Sequence, residues 1–332
     1  MPKRSACDQV TRNARMPPKR TATENSDQER KKKTTYTLTL DDASLEKLRQ
    51  WCEHRLWVPF QVDYARFAYK GDSVNLTAYE SGKVVIQGKK TEDFVTYVIE
   101  AEITHDPQLG YDEVHHPEWF EPHAGLDESG KGDFFGPLVS ACVIADGDMV
   151  RTWIEKGVTD SKRITSDAAI YRLEKEVRRT DGVVVQTTWA GMRRYNELYH
   201  KFGSNLNKLL AWMHAKSVTE ALKQRTVEWG LLDQFSKQPL VQQQLRDVGQ
   251  FDLQMRTKAE SDPVVAAASI VARAEYLRQM KKLEERFGAK LQKGASALVR
   301  AQGRQIVDKL GPEALGDFAK LHFKTAAEVL AG

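Results

Sequence analysis

The stretch from His123 to Ala145 constrains this chain more than any other. An apolar segment reaches two adjacent carboxylates, Asp127 and Glu128, and the glycine-rich turn Ser129-Gly130-Lys131-Gly132-Asp133 follows at once. After Gly136-Pro137 a second apolar run, Leu138 to Ala145, has the composition of a buried strand. The pattern predicts a strand that stops at two acids, a reversal over a small cationic loop, and a returning strand. Neighbouring side chains of a strand point to opposite faces, so the two acids can approach one ion together only if the strand ends or twists between them. Gly125 to Lys131 also fits G-x-x-x-x-G-K. Gly132, however, stands where a Ser or Thr would ligate magnesium, and the two acids would put negative charge inside a phosphate cradle. A carboxylate pair beside a Gly-Lys-Gly turn suits a divalent metal and a polyanion better. The plain alternative is an exposed acidic turn.

The 332-residue length predicts two folded domains and a tail. No apolar run approaches a membrane span, and the N-terminus has no secretory-type apolar segment. Cys7, Cys52 and Cys142 show no ligand spacing, which predicts free thiols and a cytoplasmic protein. Residues 1–33 hold ten Lys/Arg against four Asp/Glu, which leaves 40 against 42 in the rest. Bulk charge therefore does not make the folded part a nucleic-acid binder; local sites must. Residues 1–33 are expected to form a disordered basic arm, either adding salt-sensitive phosphate affinity or acting only as a solvated tail.

Residues 34–105 read as a small α+β unit. Thr34 to Leu40 alternates as a strand, Asp41 or Asp42 caps a helix over 43–56, and strands are expected over 66–70, 73–80 and 83–88. Ser81-Gly82 predicts a hairpin with Glu80 facing Lys83, and a second helix is expected over 92–100. Asn75, Thr77, Gln87, Lys89 and Lys90 are candidates for a binding face that parity alone does not single out. Residues 106–122 read as a linker, and His115, His116 and His123 lack fixed metal spacing, so an exposed loop is expected.

From 123 to 332 strands and helices alternate, which predicts an α/β domain. Gly157 to Lys162 forms a loop in which Ser161 and Lys162 suit either a phosphate or a helix entrance. Leu231-Leu232-Asp233 is a second apolar strand ending at an acid, and strand ends are where open α/β sheets place their clefts. Asp262 precedes Pro263 as a helix N-cap should, which leaves nearby Glu260 for chemistry. Two or three amphipathic helices close the chain, with Leu321 to Lys324 in the last.

Several motifs together resemble the ribonuclease HIII family of type 2 ribonucleases H. They are Gly125-Leu-Asp-Glu-Ser-Gly-Lys-Gly-Asp-Phe-Phe-Gly-Pro137, Asp160-Ser-Lys162, Tyr195 through Asn205-Leu-Asn207 to His214, Leu232-Asp-Gln-Phe235 and Lys258-Ala-Glu-Ser261 ahead of Ala266 to Ile270. They occur in family order over residues 124–325. The resemblance implies a ribonuclease-H-like catalytic domain, with a central mixed sheet flanked by helices, over 123–332. It implies a TATA-binding-protein-like domain over 34–105 that grips an RNA–DNA hybrid. Metal ligation and catalysis fall on Asp127, Glu128, Asp233 and Glu260, the last at a position where such families carry Asp or Glu. These oxygen ligands suit two Mg²⁺ or Mn²⁺ ions, with cleavage of the RNA strand to 5′-phosphate and 3′-hydroxyl ends. Gly130, Lys131 and Gly132 would approach the backbone and sense the 2′-hydroxyl, while Ser161 and Lys162 would hold flanking phosphates. Related ribonucleases HII have Arg where Lys131 stands. The fork-to-point-charge change predicts poor cleavage at a single embedded ribonucleotide. A monomer without membrane association is expected. The rival readings are a non-catalytic hybrid-binding protein and a metal-dependent phosphatase for small esters.

Overall fold

The structure is a computed structural model that describes residues 33–331; the expected basic arm, apart from Lys33, lies outside the described residues. Two five-stranded sheets organise those residues. The first contains β1 (Thr35–Thr39), β2 (Val58–Pro59), β3 (Ala65–Gly71), β4 (Val74–Tyr79) and β5 (Lys83–Gly88) in the antiparallel order β1-β5-β4-β3-β2. Helix α1 (Asp42–His54) follows β1; Asp41 caps it by accepting from the Ser44 amide at 2.8 Å, and Leu45, Leu48 and Cys52 turn inward. The second helix starts earlier than expected, as α2 (Thr91–Phe94), and continues with π-helical winding over Val95–Thr104. Leu76, Ile86, Leu48 and Ile99 fill the core between sheet and helices. The register places Thr35, Gln87, Asn75 and Lys70 in one row across the opposite, open face. Thr77 shares that face, while Lys89 and Lys90 lie past the end of β5.

The hairpin differs from expectation by one residue. Ala78 lies opposite Val84, which carries Tyr79 opposite Lys83 and leaves Glu80 in the loop. Gly82 takes φ +81° and bonds back to the Tyr79 carbonyl, closing a three-residue connection. Glu80 instead meets Arg66 at 3.4 Å. The segment after the first unit is partly helical: α3 (Asp112–His115) and a 3₁₀ turn over Pro117–Phe120. His123 is not in an exposed loop. It opens a strand, stacks on Trp229 at 4.3 Å and is fully buried, because its ring packs as an aromatic plate while both nitrogens find partners.

The second sheet contains β6 (His123–Ser129), β7 (Val139–Ala145), β8 (Val184–Trp189), β9 (Trp229–Asp233) and β10 (Asp252–Arg256), in the order β10-β9-β6-β7-β8. β6, β9 and β10 are mutually parallel, while β7 runs antiparallel to both β6 and β8. The helices are α4 (Gly147–Lys156), α5 (Asp167–Arg179), α6 (Met192–Lys201), α7 (Leu206–Leu222), α8 (Leu240–Gln244), α9 (Pro263–Phe287), α10 (Ala297–Leu310) and α11 (Lys324–Leu330). Residues of β7 alternate between two cores: Val139, Ala141 and Val143 pack with α9, and Cys142 and Ile144 pack on the α7 side. Asp262 caps α9 by accepting from the Val264 and Val265 amides, as expected. Leu321 to Phe323 precede the last helix instead of lying in it, because the Lys320 amide is tied to the Phe134 carbonyl. Among the described residues no helix is long and apolar enough to cross a membrane.

Candidate active site

β6 does not stop at its acids. It remains paired through Ser129, with Asp127 opposite Ala141 and Glu128 opposite Ser140. Directly opposed residues share a face, so Asp127 faces α9 with Ala141, and Glu128 faces α7 with Ser140. The parallel ladder between β6 and β9 ends at Leu126 and Leu232, which sets the next residues, Asp127 and Asp233, side by side. The two acids are neighbours because the ladder between β6 and β9 ends just before them, although β6 stays paired with β7 as far as Ser129.

Gly125 determines how closely α9 approaches. A Cβ there would lie 2.3 Å from the Val264 carbonyl carbon, so only glycine lets the entrance of α9 rest on β6. Just before that entrance, a 3₁₀ turn over Ala259–Ser261 carries Glu260, and the Ala259 amide donates to Asp233 Oδ1 at 3.4 Å. Glu260 Oε2 is buried with no hydrogen-bond partner, as is appropriate for an oxygen that meets a cation. The loop Asp160-Ser161-Lys162 closes the other side. Burial opposes the charge on Lys162, but Asp127, Asp160, Glu260 and Asp233 around it outweigh that and raise its pKa. Burial, and then the neighbouring Glu128, push the Asp127 carboxyl well above the ordinary range. Asp160 and Glu260 line a cleft of about 830 Å³ whose far wall is Lys33 and the β1 residues Thr35, Tyr36 and Thr37.

Among the described residues, no three His, Cys, Asp or Glu side chains close on one point tightly enough to hold a metal ion. Asp127, Asp233 and Glu260 gather around Lys162 yet stay apart, as like charges do. The donor set nonetheless fits a hard cation: carboxylate oxygens throughout, one of them unpartnered, and one carboxyl that costs energy to ionise where it lies.

The family model for ribonuclease HII matches residues 124–326, and a domain of unknown function matches residues 35–107. Ribonuclease HIII of Chlamydia pneumoniae is 36% identical over 303 residues, covering 90% of this chain and 98% of that protein. Ribonuclease HIII of Chlamydia caviae is 37% identical over 300 residues, covering 89% and 97%. The chain belongs to the ribonuclease HII family, on its ribonuclease HIII branch. Among solved structures, Bst-RNase HIII in complex with Mn²⁺ superposes with a TM-score of 0.62 at 31% identity over 90% of this chain and 98% of that one. Aquifex aeolicus RNase H3 gives 0.52 at 26% identity, covering 87% and 100%. Membership makes the protein a ribonuclease H, a metal-dependent endoribonuclease and hydrolase, with a ribonuclease-H-like unit behind a sheet-containing N-terminal domain.

Within this ribonuclease H, Glu128 is held differently from the other acids. Its Oε2 lies 3.1 Å from His214 Nε2, and its Oε1 accepts from Lys131 at 3.4 Å. Burial raises its pKa, but His214 and Lys131 outweigh burial, and the carboxyl falls below its usual range. His214 Nδ1 lies 3.0 Å from Ser140 Oγ, Ser140 reaches Ser217 at 3.2 Å, and Ser217 donates to Thr188 Oγ1 at 2.9 Å. The sequence reading assigned no role to His214. Two signals mark it: His214 closes the motif that begins at Tyr195, and His214 and Ser217 are the polar residues on a helix face otherwise made of Leu210, Met213 and Val218.

The glycine loop is fixed from below. Gly130 takes φ +86°, and a Cβ there would meet the Pro137 carbonyl at 2.3 Å. Lys320, fully buried, donates to the Asp133 carbonyl at 2.7 Å and to the Gly136 carbonyl; burial lowers its pKa to about 7. Lys131 stands 5.3 Å over the Phe235 ring, and Gly132 faces open space. Ser161 is buried: its amide donates to Ser269 Oγ at 2.9 Å and its carbonyl accepts from Arg273, so its backbone anchors the loop to α9. Lys162 alone of that pair is exposed to solvent.

Proposed function

We propose that this ribonuclease H cleaves the RNA strand of RNA–DNA hybrids at the cleft of Asp127, Asp233 and Glu260, with Glu128 at its edge. The carrying observation is the side-by-side placement of Asp127 and Asp233 beside a buried, unpartnered Glu260 oxygen. Asp127, Glu128, Asp233 and Glu260 would hold two Mg²⁺ or Mn²⁺ ions, which supply an activated water and neutralise charge on the scissile phosphate. A cation there would offset the burial that opposes the charged form of Asp127. Lys162 balances the acids before substrate arrives and faces a flanking phosphate afterwards; Ser161 fixes the loop that aims it.

The turn performs the recognition. The open space at Gly132 and the anchored turn at Gly130 leave room for a sugar-phosphate backbone to approach closely, with Lys131 contributing a point charge near the 2′-hydroxyl. Water attacks phosphorus, and the 3′-oxygen leaves, which yields 5′-phosphate and 3′-hydroxyl ends. The 830 Å³ cleft between β1 and the Asp160 and Glu260 side of the site supports a hybrid gripped by both units. One chain carries all four acids, which supports a monomer, and the buried free thiols Cys52 and Cys142 suit the reducing cytoplasm.

The test is cleavage of an end-labelled hybrid with Mg²⁺ or Mn²⁺, beside double-stranded DNA, double-stranded RNA and a duplex with one ribonucleotide. Products from the hybrid, abolished by EDTA and by Asp233→Asn, are expected. A hybrid that is bound tightly but never cut with either metal would establish the binding-only alternative.

A further inference from the structure

A groove of about 330 Å³ opens between β8, α6 and α7, on the flank of the sheet end that carries the acids. Trp189, Phe202 and Trp212 contribute ring surface to it, while Arg194, Lys201 and Lys216 are its charged lining residues and no acid lines it. Phe202 and Trp212 lie 5.5 Å apart at a 38° tilt, and Lys216 Nζ stands 5.5 Å over the Trp212 ring. On the far side Lys282 of α9 stands 5.8 Å over Trp189, a tryptophan left 39% exposed. The acid nearest the rim on α6, Glu197, is paired with Arg194 at 2.7 Å. Aromatic faces with cations beside them suit a unit that combines a flat or sugar surface with a phosphate.

The register fixes where this groove lies. Thr188 on its wall is opposite Ser140, which is opposite Glu128. Two strand spacings separate Thr188 from Glu128, about 10 Å. One nucleic-acid strand advances about 3.4 Å per base step, so the groove wall stands about three steps from Glu128.

We propose that this groove is a second substrate subsite, which takes one nucleotide of the bound RNA–DNA hybrid away from the step that is cut. Trp189 and Trp212 present a flat surface to the sugar, since the bases of a hybrid stay paired, and Lys216 and Lys201 meet the phosphate. The proposal rests on the hybrid-cleaving reading given above.

The experiment uses the full chain in EDTA, so that nothing is cut, and a fluorescein-labelled RNA–DNA hybrid titrated at several salt concentrations. Trp189→Ala and Lys216→Gln are each expected to weaken binding about fivefold or more. Lys216→Gln is also expected to reduce the slope of log Kd against log salt by roughly one. Hybrids shortened on one side of the cut site should lose sensitivity to both variants, while those shortened on the other side keep it. If both variants unfold thermally like the parent and bind every hybrid within twofold of it, the proposal is overturned. Lys216 is exposed, so Lys216→Gln decides the matter should Trp189→Ala fail to fold. A parent that cuts hybrid while its variants bind normally overturns only the subsite. A parent that neither binds nor cuts overturns the hybrid reading with it.

Discussion

The two sheets solve different problems with similar strand lengths. The first is antiparallel and covered by helices on one face, so its other face carries a polar row of Thr35, Gln87, Asn75 and Lys70. The second is covered on both faces, by α9 and by α7; β7 is buried from end to end, and β6 and β9 lose burial only at their ends. A sheet open on one side can offer binding groups anywhere along a strand. A sheet closed on both sides can offer chemistry only toward the ends of its strands, where Asp127 and Asp233 lie side by side past the β6–β9 ladder with Glu260 on the neighbouring turn. The comparison predicts that substitutions in the second sheet trade strongly between folding and chemistry, while those on the first sheet's open face affect binding alone.

The largest effect should come from the strand ends. Asp233→Asn or Asp127→Asn is expected to lower hybrid cleavage about a hundredfold or more, the several kcal/mol that a metal clamp supplies, with hybrid binding retained in a gel-shift assay. Equal loss of binding would show that the acids and the grip are not separable. Next comes a pair of glycines. Gly125→Ala forces a Cβ against α9 backbone and should cost about 3 kcal/mol in urea unfolding. Gly132→Ala meets open space and should leave stability unchanged while slowing cleavage.

His214→Ala strands a Glu128 oxygen and should cost about 1–3 kcal/mol of stability, together with a weaker response to Mg²⁺ in thermal unfolding. Lys320 gives a pH signature. Its pKa falls to about 7 in the folded state through burial, so between pH 7 and the ordinary lysine range near 10 the unfolded chain binds the extra proton. Stability from this group therefore rises with pH across that window and is lost as pH falls through 7. Lys320→Met should flatten that slope in unfolding curves recorded from pH 6 to 10. The smallest effect belongs to the open sheet: Asn75→Ala with Gln87→Ala should change stability by no more than about 0.5 kcal/mol yet weaken hybrid binding severalfold. Unchanged binding would move the contact off that face.

Local chemistry determined much of what the sequence revealed. The apolar runs ending at Asp127 and Asp233, the N-cap of Asp262 before Pro263 and the amphipathic α1 are set by neighbours a few residues away, so they were legible without coordinates. Only the tertiary structure decided which face each acid takes. The pairing of Glu128 with Ser140 continues β6 past both acids and turns Glu128 toward His214, although the sequence reading had the strand stopping before that could happen. His123 and Lys320 follow the same rule: local pattern marks neither as buried, yet both are buried because distant segments supply their partners. Periodicity reports which side of an element is apolar. It cannot report which other element, far along the chain, will bring the hydrogen bond that makes a buried polar group affordable, and in this protein those distant partners build the site.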